Sequence, residues 1–190
     1  MISAQTILSI FLGIGLASAC GFRVFLPLLA LSLASYFHVW ELNESWTWIG
    51  SFPAIIVLGV ATVLEIIAYY IPFVDNLLDT IAAPLAAIAG TMVMFATVGD
   101  VSPLMSWVLA IIAGGGTATA MQGMTTMTRL ASTVKTGGLA NPVVPTAETG
   151  TATAMSALAI FVPVVAVFLV LLLFALVYWI YRKFKNLKSK

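Results

Sequence analysis

Ser18-Ala-Cys-Gly-Phe-Arg-Val-Phe-Leu-Pro27 lies in the middle of an apolar run that reaches from residue 4 to residue 37. A membrane helix needs about 20 mostly apolar residues, so the run is too long for one simple span. It is also interrupted from within by Ser18, Cys20, Gly21, Arg23 and Pro27. The reading is a broken helix or a tight hairpin of two short helices, with the break at Ser18 to Arg23.

The rest of the chain has the same character. Of 190 residues, 62% are hydrophobic and 8% are charged, against about 45–50% and 25% in an ordinary soluble domain. A soluble protein this apolar could not cover its surface with polar groups. Further spans are expected at 52–71, 80–98, 103–122 and 151–181. The expected fold is all-α: one transmembrane domain over 1–190, a helical bundle of five or six segments, some broken or re-entrant, with a basic tail at 182–190. The N-terminus lacks the basic stretch of a signal peptide, so the first apolar segment is expected to be retained. A net charge of +1 gives no basic face for nucleic acid. A single cysteine, Cys20, allows neither an intrachain disulfide nor a cysteine metal cluster.

Residues 38–51 form a polar loop with Glu41, Asn43, Glu44 and Ser45, flanked by Trp40, Trp46 and Trp48 as an aromatic belt. Residues 72–79 and 99–103 read as turns. The segment 114–150 is the least membrane-like, rich in Gly, Thr and Ala and broken at Gly137-Gly138 and Asn141-Pro142. Irregular backbone there must be buried in protein, line a watery cavity or lie outside the bilayer. Arg182, Lys183, Lys185, Lys188 and Lys190 place the C-terminus in the cytoplasm by the positive-inside rule. The acidic 38–51 loop points to the outer side, and four plain crossings from 52 to 181 would contradict that. Either one extra or re-entrant segment exists, with 114–150 as its suspected place, or the acidic loop is cytoplasmic, since Asp and Glu contribute little to orientation. The C-terminal cluster is the stronger of the two signals.

Gly15-Leu-Ala-Ser-Ala-Cys20 can be laid on Gly116-Thr-Ala-Thr-Ala-Met121. Each tract leads to an arginine, Arg23 or Arg129, and each half carries a glutamate, Glu65 or Glu148. Transporters show weak internal repeats of this kind, here with halves 1–100 and 101–181. Small-residue tracts also recur wherever membrane helices pack closely.

Gly21-Phe-Arg-Val-Phe-Leu-Pro27 resembles the opening motif of the bacterial membrane family known as domain-of-unknown-function family 4126. So does Glu65 followed by Ile71-Pro-Phe-Val-Asp-Asn-Leu-Leu-Asp79. Asn141-Pro142 followed by Glu148 is similar to that family's late pattern, although the family has an acidic pair where this chain has Glu148-Thr149. The likeness covers roughly residues 10–180. It implies a multi-pass bacterial membrane protein and supplies neither substrate nor mechanism.

An arginine in the bilayer costs about 2.5–3.5 kcal/mol on insertion scales, so Arg23 is a candidate site residue or half of a structural ion pair. Glu65, near the end of its apolar run, reads as a protonatable carboxyl suited to proton coupling, or as a partner for Arg23 or Arg129. Asp75 and Asp79 share a helix face; Asp75 also fits a helix N-cap. Two carboxylates alone do not make a metal site, and none is expected. Glu148 and Asn141 complete the candidate set, with threonines from 117 to 128 lining a polar path or bonding back to their own helices. The sole histidine, His38, reads as a surface residue. No nucleophile motif accompanies the carboxylates, so neither an enzyme nor a cofactor is expected. The expected function is a small transporter or permease in the inner membrane, its partners the lipid bilayer and a small solute or ion. The alternative is a membrane scaffold or accessory subunit, with a homo-oligomer left open.

Overall fold

In a computed structural model, the described residues are 3–99, 101–136 and 143–188, and among them the chain is all-helical. Helix α1 runs from Ala4 to Cys20 and α2 from Phe25 to Tyr36. A 3₁₀ segment, Glu44–Gly50, leads into α3, Phe52–Ala68. Next come α4, Pro72–Thr97, and α5, Pro103–Val108. Helix α5 continues through a wide π turn, Leu109–Gly115, into α6, Gly116–Thr136. Helices α7, Val143–Phe161, and α8, Pro163–Lys188, close the fold.

Consecutive helices fold back on one another. Ser32 Oγ, near the end of α2, donates to the Ile49 carbonyl ahead of α3, while Glu65, near the end of α3, reaches the start of α2. The loop after α2 is tied to the end of α4, with Asn43 N–H on the Ala96 carbonyl and Asn43 Nδ2 on that of Val98. The bundle thus has two ends. One carries the Trp40–Ser51 loop and the end of α4. The other carries the α1–α2 break, the α3–α4 turn, Arg129 and the first turns of α7.

The apolar run 151–181, expected as one span, is two helices. Val162 separates them. Ala159 and Ala166 both lie against Gly15, and Met155 and Val170 both pack with Ala19. That pairing defines an antiparallel hairpin, and Pro163, at the first position of α8, suits a helix start. Five helical passes therefore follow the 38–51 loop, so that loop and the C-terminal helix end lie at opposite ends. This removes the conflict in the sequence reading, and its source is Pro163 rather than 114–150.

Other expectations are corrected as well. Residues 116–136 form regular helix. Thr119, Thr126 and Thr128 each donate to a carbonyl four residues back, so a polar, glycine-rich stretch holds its backbone in register. The departure from α geometry comes earlier, in the Leu109–Gly115 π turn. Residues 137–142, including Asn141, lie outside the described residues. The expected turn at 72–79 is the start of α4; the chain turns at Tyr69–Ile71, with Ile71 as N-cap and Pro72 at the first helical position. Asp75 is therefore not a cap. Its N–H bonds to the Ile71 carbonyl.

The packing inverts that of a soluble protein. Alanines line the core, among them Ala17, Ala86, Ala89, Ala118, Ala152 and Ala159, while Val57, Leu64, Phe73, Leu104, Ile112 and Phe168 are each more than half exposed. Small residues inside and large apolar residues outside are the arrangement of helices packed in lipid. By length and apolarity two helical stretches, Phe73–Thr97 and Pro103–Leu130, can cross a membrane on their own. A third qualifies if Glu44–Gly50 and Phe52–Ala68, bent by 65°, count as one. This is fewer than the five or six expected, because α1, α2 and the apolar part of α8 are short and α7 is rich in threonine and alanine.

Helix α4 and the π turn approach each other backbone to backbone at Gly90 and Gly114. A Cβ at Gly114 would strike the Gly90 carbonyl oxygen and lie 2.6 Å from Met94 Cβ. Gly114→Ala is expected to destabilise by about 1–3 kcal/mol, because a backbone atom cannot step aside as a side chain can. At Gly116 a Cβ meets nothing within 4 Å, so Gly116→Ala is expected to leave the melting temperature in detergent unchanged or raised. Equal melting of the two variants would show that this contact does not limit packing.

Candidate functional site: a buried ion network

Helix α1 ends where Gly21 meets α6. A Cβ there would collide with Met121 and approach the Ala118 carbonyl oxygen at 2.7 Å and Gln122 N at 2.9 Å. Only glycine fits this approach. The chain then leaves helical geometry through Phe22 and Arg23 and restarts at Phe25, at the expected break. The restart exposes N–H groups that α2's own sequence does not cap. Glu65 of α3 supplies the acceptors: Val24 N–H donates to Oε1 at 2.7 Å and Phe25 N–H to Oε2 at 3.0 Å. A carboxylate at a helix N-terminus satisfies orphan donors and meets the positive end of the helix dipole.

Glu65 is thus a cap from a neighbouring helix, and among the described residues it forms no ion pair with either arginine. Both carboxyl oxygens accept from backbone N–H groups of the α2 start. Glu65→Ala is expected to cost about 0.5–2 kcal/mol, the range for a lost cap. Glu65→Gln should fall between that variant and the parent, since an amide can accept only one of the two N–H groups. Thermal melts of both variants in detergent check the order. A Glu65→Gln protein less stable than Glu65→Ala would contradict the capping role.

Among the described residues Arg23 is the largest side chain that is wholly buried. Its Nε donates to Thr149 Oγ1 at 3.0 Å, its Nη2 to the Pro145 carbonyl at 2.9 Å and its Nη1 to the Phe22 carbonyl at 3.4 Å. Nη1 also lies 3.3 Å from Glu148 Oε2. Arg129, projecting from α6, holds Glu148 in a bidentate pair, with Nε on Oε1 at 2.8 Å and Nη2 on Oε2. Its Nη1 bonds to Asp75 Oδ1 and lies 3.2 Å from Asp79 Oδ1. The i, i+4 spacing puts both aspartates on one face of α4, as read from sequence, and that face meets Arg129.

Five charged groups thereby join the α1–α2 break, α4, α6 and α7. Both arginines pair with carboxylates, Arg23 with Glu148 and Arg129 with Glu148, Asp75 and Asp79. Two guanidinium groups face three carboxylates, so the network carries one formal negative charge. Among the described residues no three His, Cys, Asp or Glu side chains group as metal ligands, and Arg129 occupies the space between the carboxylates where a cation would sit.

Sequence reasoning missed Tyr69. The Arg23 guanidinium carbon stands 4.1 Å from its ring centroid and that of Arg129 4.5 Å, both within cation–π range. The signal available was its place four residues after Glu65, on the same helical stripe. Nearby, Tyr70 Oη and Thr146 Oγ1, 2.7 Å apart, tie the end of α3 to the start of α7.

A different kind of site lies at the other end. A cleft of about 400 Å³ is lined by Gln5, Thr6 and Ser9 of α1, Trp40 to Ser45 of the loop, and Thr97 and Gly99. Trp40 anchors its wall by donating Nε1–H to the Ile160 carbonyl at the α7–α8 turn. A second cavity, of about 240 Å³, is apolar and lies among α6, α7, α8 and Phe22. None of the five networked charges lines either cavity.

The fold and its network define an all-helical bundle of membrane character, built around a buried cluster of ion pairs. The chain belongs to the family described as domain of unknown function DUF4126, whose sequence profile matches residues 10–183. No curated protein and no solved structure matches it.

Proposed function

We propose that this chain is a small inner-membrane transporter for a polar solute, with its C-terminus in the cytoplasm and the ion network as the gate at the cytoplasmic end. The observation that carries this reading is the asymmetry of the bundle. A polar cleft opens at one end, while at the other four parts of the fold are joined by Arg23, Arg129, Glu148, Asp75 and Asp79. Alternating access needs one end open while the other is closed, and ion pairs are a closure that can be exchanged without rebuilding a core. The basic residues after Tyr181 support a cytoplasmic position for the network end. Trp40, Trp46 and Trp48 at one end and Tyr70, Tyr178 and Trp179 at the other suit two interfacial belts.

Cys20 is wholly buried and the sole cysteine, so Cys20→Ala provides a background for accessibility labelling. In that background Ser45→Cys should react with a membrane-impermeant maleimide from outside, and Thr146→Cys only from the cytoplasm. The gate is tested at Gln122, buried on α6. Gln122→Cys should become reactive from the cytoplasm when Asp75 and Asp79 are both changed to Asn, in a protein that still melts cooperatively. Proteoliposomes challenged with amines, amino acids and sugars should then show solute-driven currents. A periplasmic Thr146→Cys, or a Gln122→Cys that stays silent until the protein unfolds, would overturn the reading.

The second reading is a membrane scaffold or accessory subunit, with the network as a fixed clasp. One observation favours it: neither cavity reaches the charges. It requires the loosened variant to lose stability without gaining accessibility at Gln122 and without any solute current.

A further inference from the structure

We infer that the apolar cavity beside α8 is a binding site for one anionic phospholipid from the leaflet on the C-terminal side. The inference rests on the bilayer placement proposed above, and its test reads lipid retention, which does not depend on transport.

The cavity is floored by Phe22, Met121 and Met155 and walled by leucines of α8. Methionine adapts its shape to an irregular chain. Leu169, Leu172 and Leu176 line it, and at about 3.6 residues per turn Trp179 and Lys183 continue the same stripe of α8. Along that stripe the chemistry changes in order, from leucine through indole to ammonium. A phospholipid lying beside the helix changes in the same order, from acyl chain through the glycerol region to the phosphate. Lys183 lies seven residues beyond Leu176, about 10 Å along the axis. Its Nζ is 5.2 Å from the Trp179 ring centroid, which holds the ammonium over the stripe. Arg182 beside it is also exposed and adds positive charge at the same depth. Apolar surface alone would take any acyl chain, whereas the basic pair at the head end selects net negative charge.

The occupant would also touch the functional network. Phe22 lines the cavity, and its carbonyl accepts from Arg23 Nη1. An acyl chain seated there supports the α1–α2 break from the lipid side.

Native mass spectrometry of the full-length protein, released from mixed vesicles of phosphatidylglycerol and phosphatidylcholine with matched chains, tests this. The parent protein should retain one phosphatidylglycerol in preference to phosphatidylcholine. Lys183→Gln, at an exposed position, should reduce that preference about fivefold while retention of either lipid persists. Thr151→Trp, which fills the cavity, should abolish retention of both, with the melting temperature reporting that the bundle is intact. If it does not fold, Leu173→Trp replaces it. Equal retention of the two lipids by the parent, an unchanged preference in Lys183→Gln, or undiminished retention in a folded cavity-filled variant would each overturn the inference.

Discussion

Glu148→Ala is expected to destabilise the protein by about 3–5 kcal/mol, the cost of leaving buried charges without their partner. Glu148 is 6% exposed and is the only carboxylate among the described residues that pairs with both arginines. Its loss strands Arg23, whose other donors reach only neutral oxygens of Thr149, Pro145 and Phe22. Arg129 fares better, since Asp75 and Asp79 remain. The damage should therefore pass chiefly through Arg23, and a double-mutant cycle makes that visible. Glu148→Ala combined with Arg23→Ala should be less destabilised than the sum of the single variants, by about 0.5–3 kcal/mol, as for residues in direct contact. Equilibrium unfolding in detergent supplies the four free energies. Strict additivity would mean that the pair at 3.3 Å carries no coupling.

Arg129→Ala is expected to have an effect of similar size, about 3–5 kcal/mol, for the opposite reason. It leaves Asp75, Asp79 and Glu148 facing one another without the cation that joins them. Arg129→Lys should recover only part of the loss. A guanidinium is a planar fork that can engage Glu148 through two nitrogens while its third reaches the aspartates, and an ammonium is a point charge without that geometry. The distinguishing result is a rescue: Asp75→Asn placed on Arg129→Ala should raise the melting temperature, because it removes one of the stranded charges. On the intact protein the same Asp75→Asn should lower it. If Asp75→Asn lowers stability in both backgrounds, Asp75 supports the fold by some route other than its pairing with Arg129.

These effects were partly legible in the sequence, and the reason is the solvent. Lipid does not solvate charge, so an arginine inside an apolar run implies both a break in the run and a carboxylate to meet it. On that ground Arg23 falls at a helix break, and Asp75, Asp79, Arg129 and Glu148 gather into one candidate set. The role of Glu65 could not be assigned the same way. A carboxylate that satisfies backbone N–H groups of another helix looks, in one dimension, the same as one that pairs with a cation. Tyr69 escaped because an aromatic residue near a helix end already has an ordinary explanation at a membrane interface. The α7–α8 turn was legible but unread. The run 151–181 is too long for one span and contains Pro163, and the reasoning applied to 4–37 would have divided it there. The continuation of helix from 122 to 136, beyond the span read at 103–122, was less legible because glycine and threonine signal irregular backbone in isolation. Hydroxyls turned back onto their own helix, one of the two readings of those threonines, remove the polarity that made the stretch look exposed.

The wide turn at Leu109–Gly115 also governs how the chain tolerates change in length. At about 3.6 residues per turn, each residue rotates the helix beyond it by about 100°. Bonds in the wide turn span five residues rather than four, so deleting one residue between Leu109 and Gly115 can be taken up by closing the turn to regular helix, with Arg129 still in line to α4 and α7. The same deletion in the regular helix between Gly116 and Thr128 has no such slack, and it would swing Arg129 about 100° off that line. In that sense the wide turn is the slack in the rod, and the stretch beyond it is where length is fixed by the ion network.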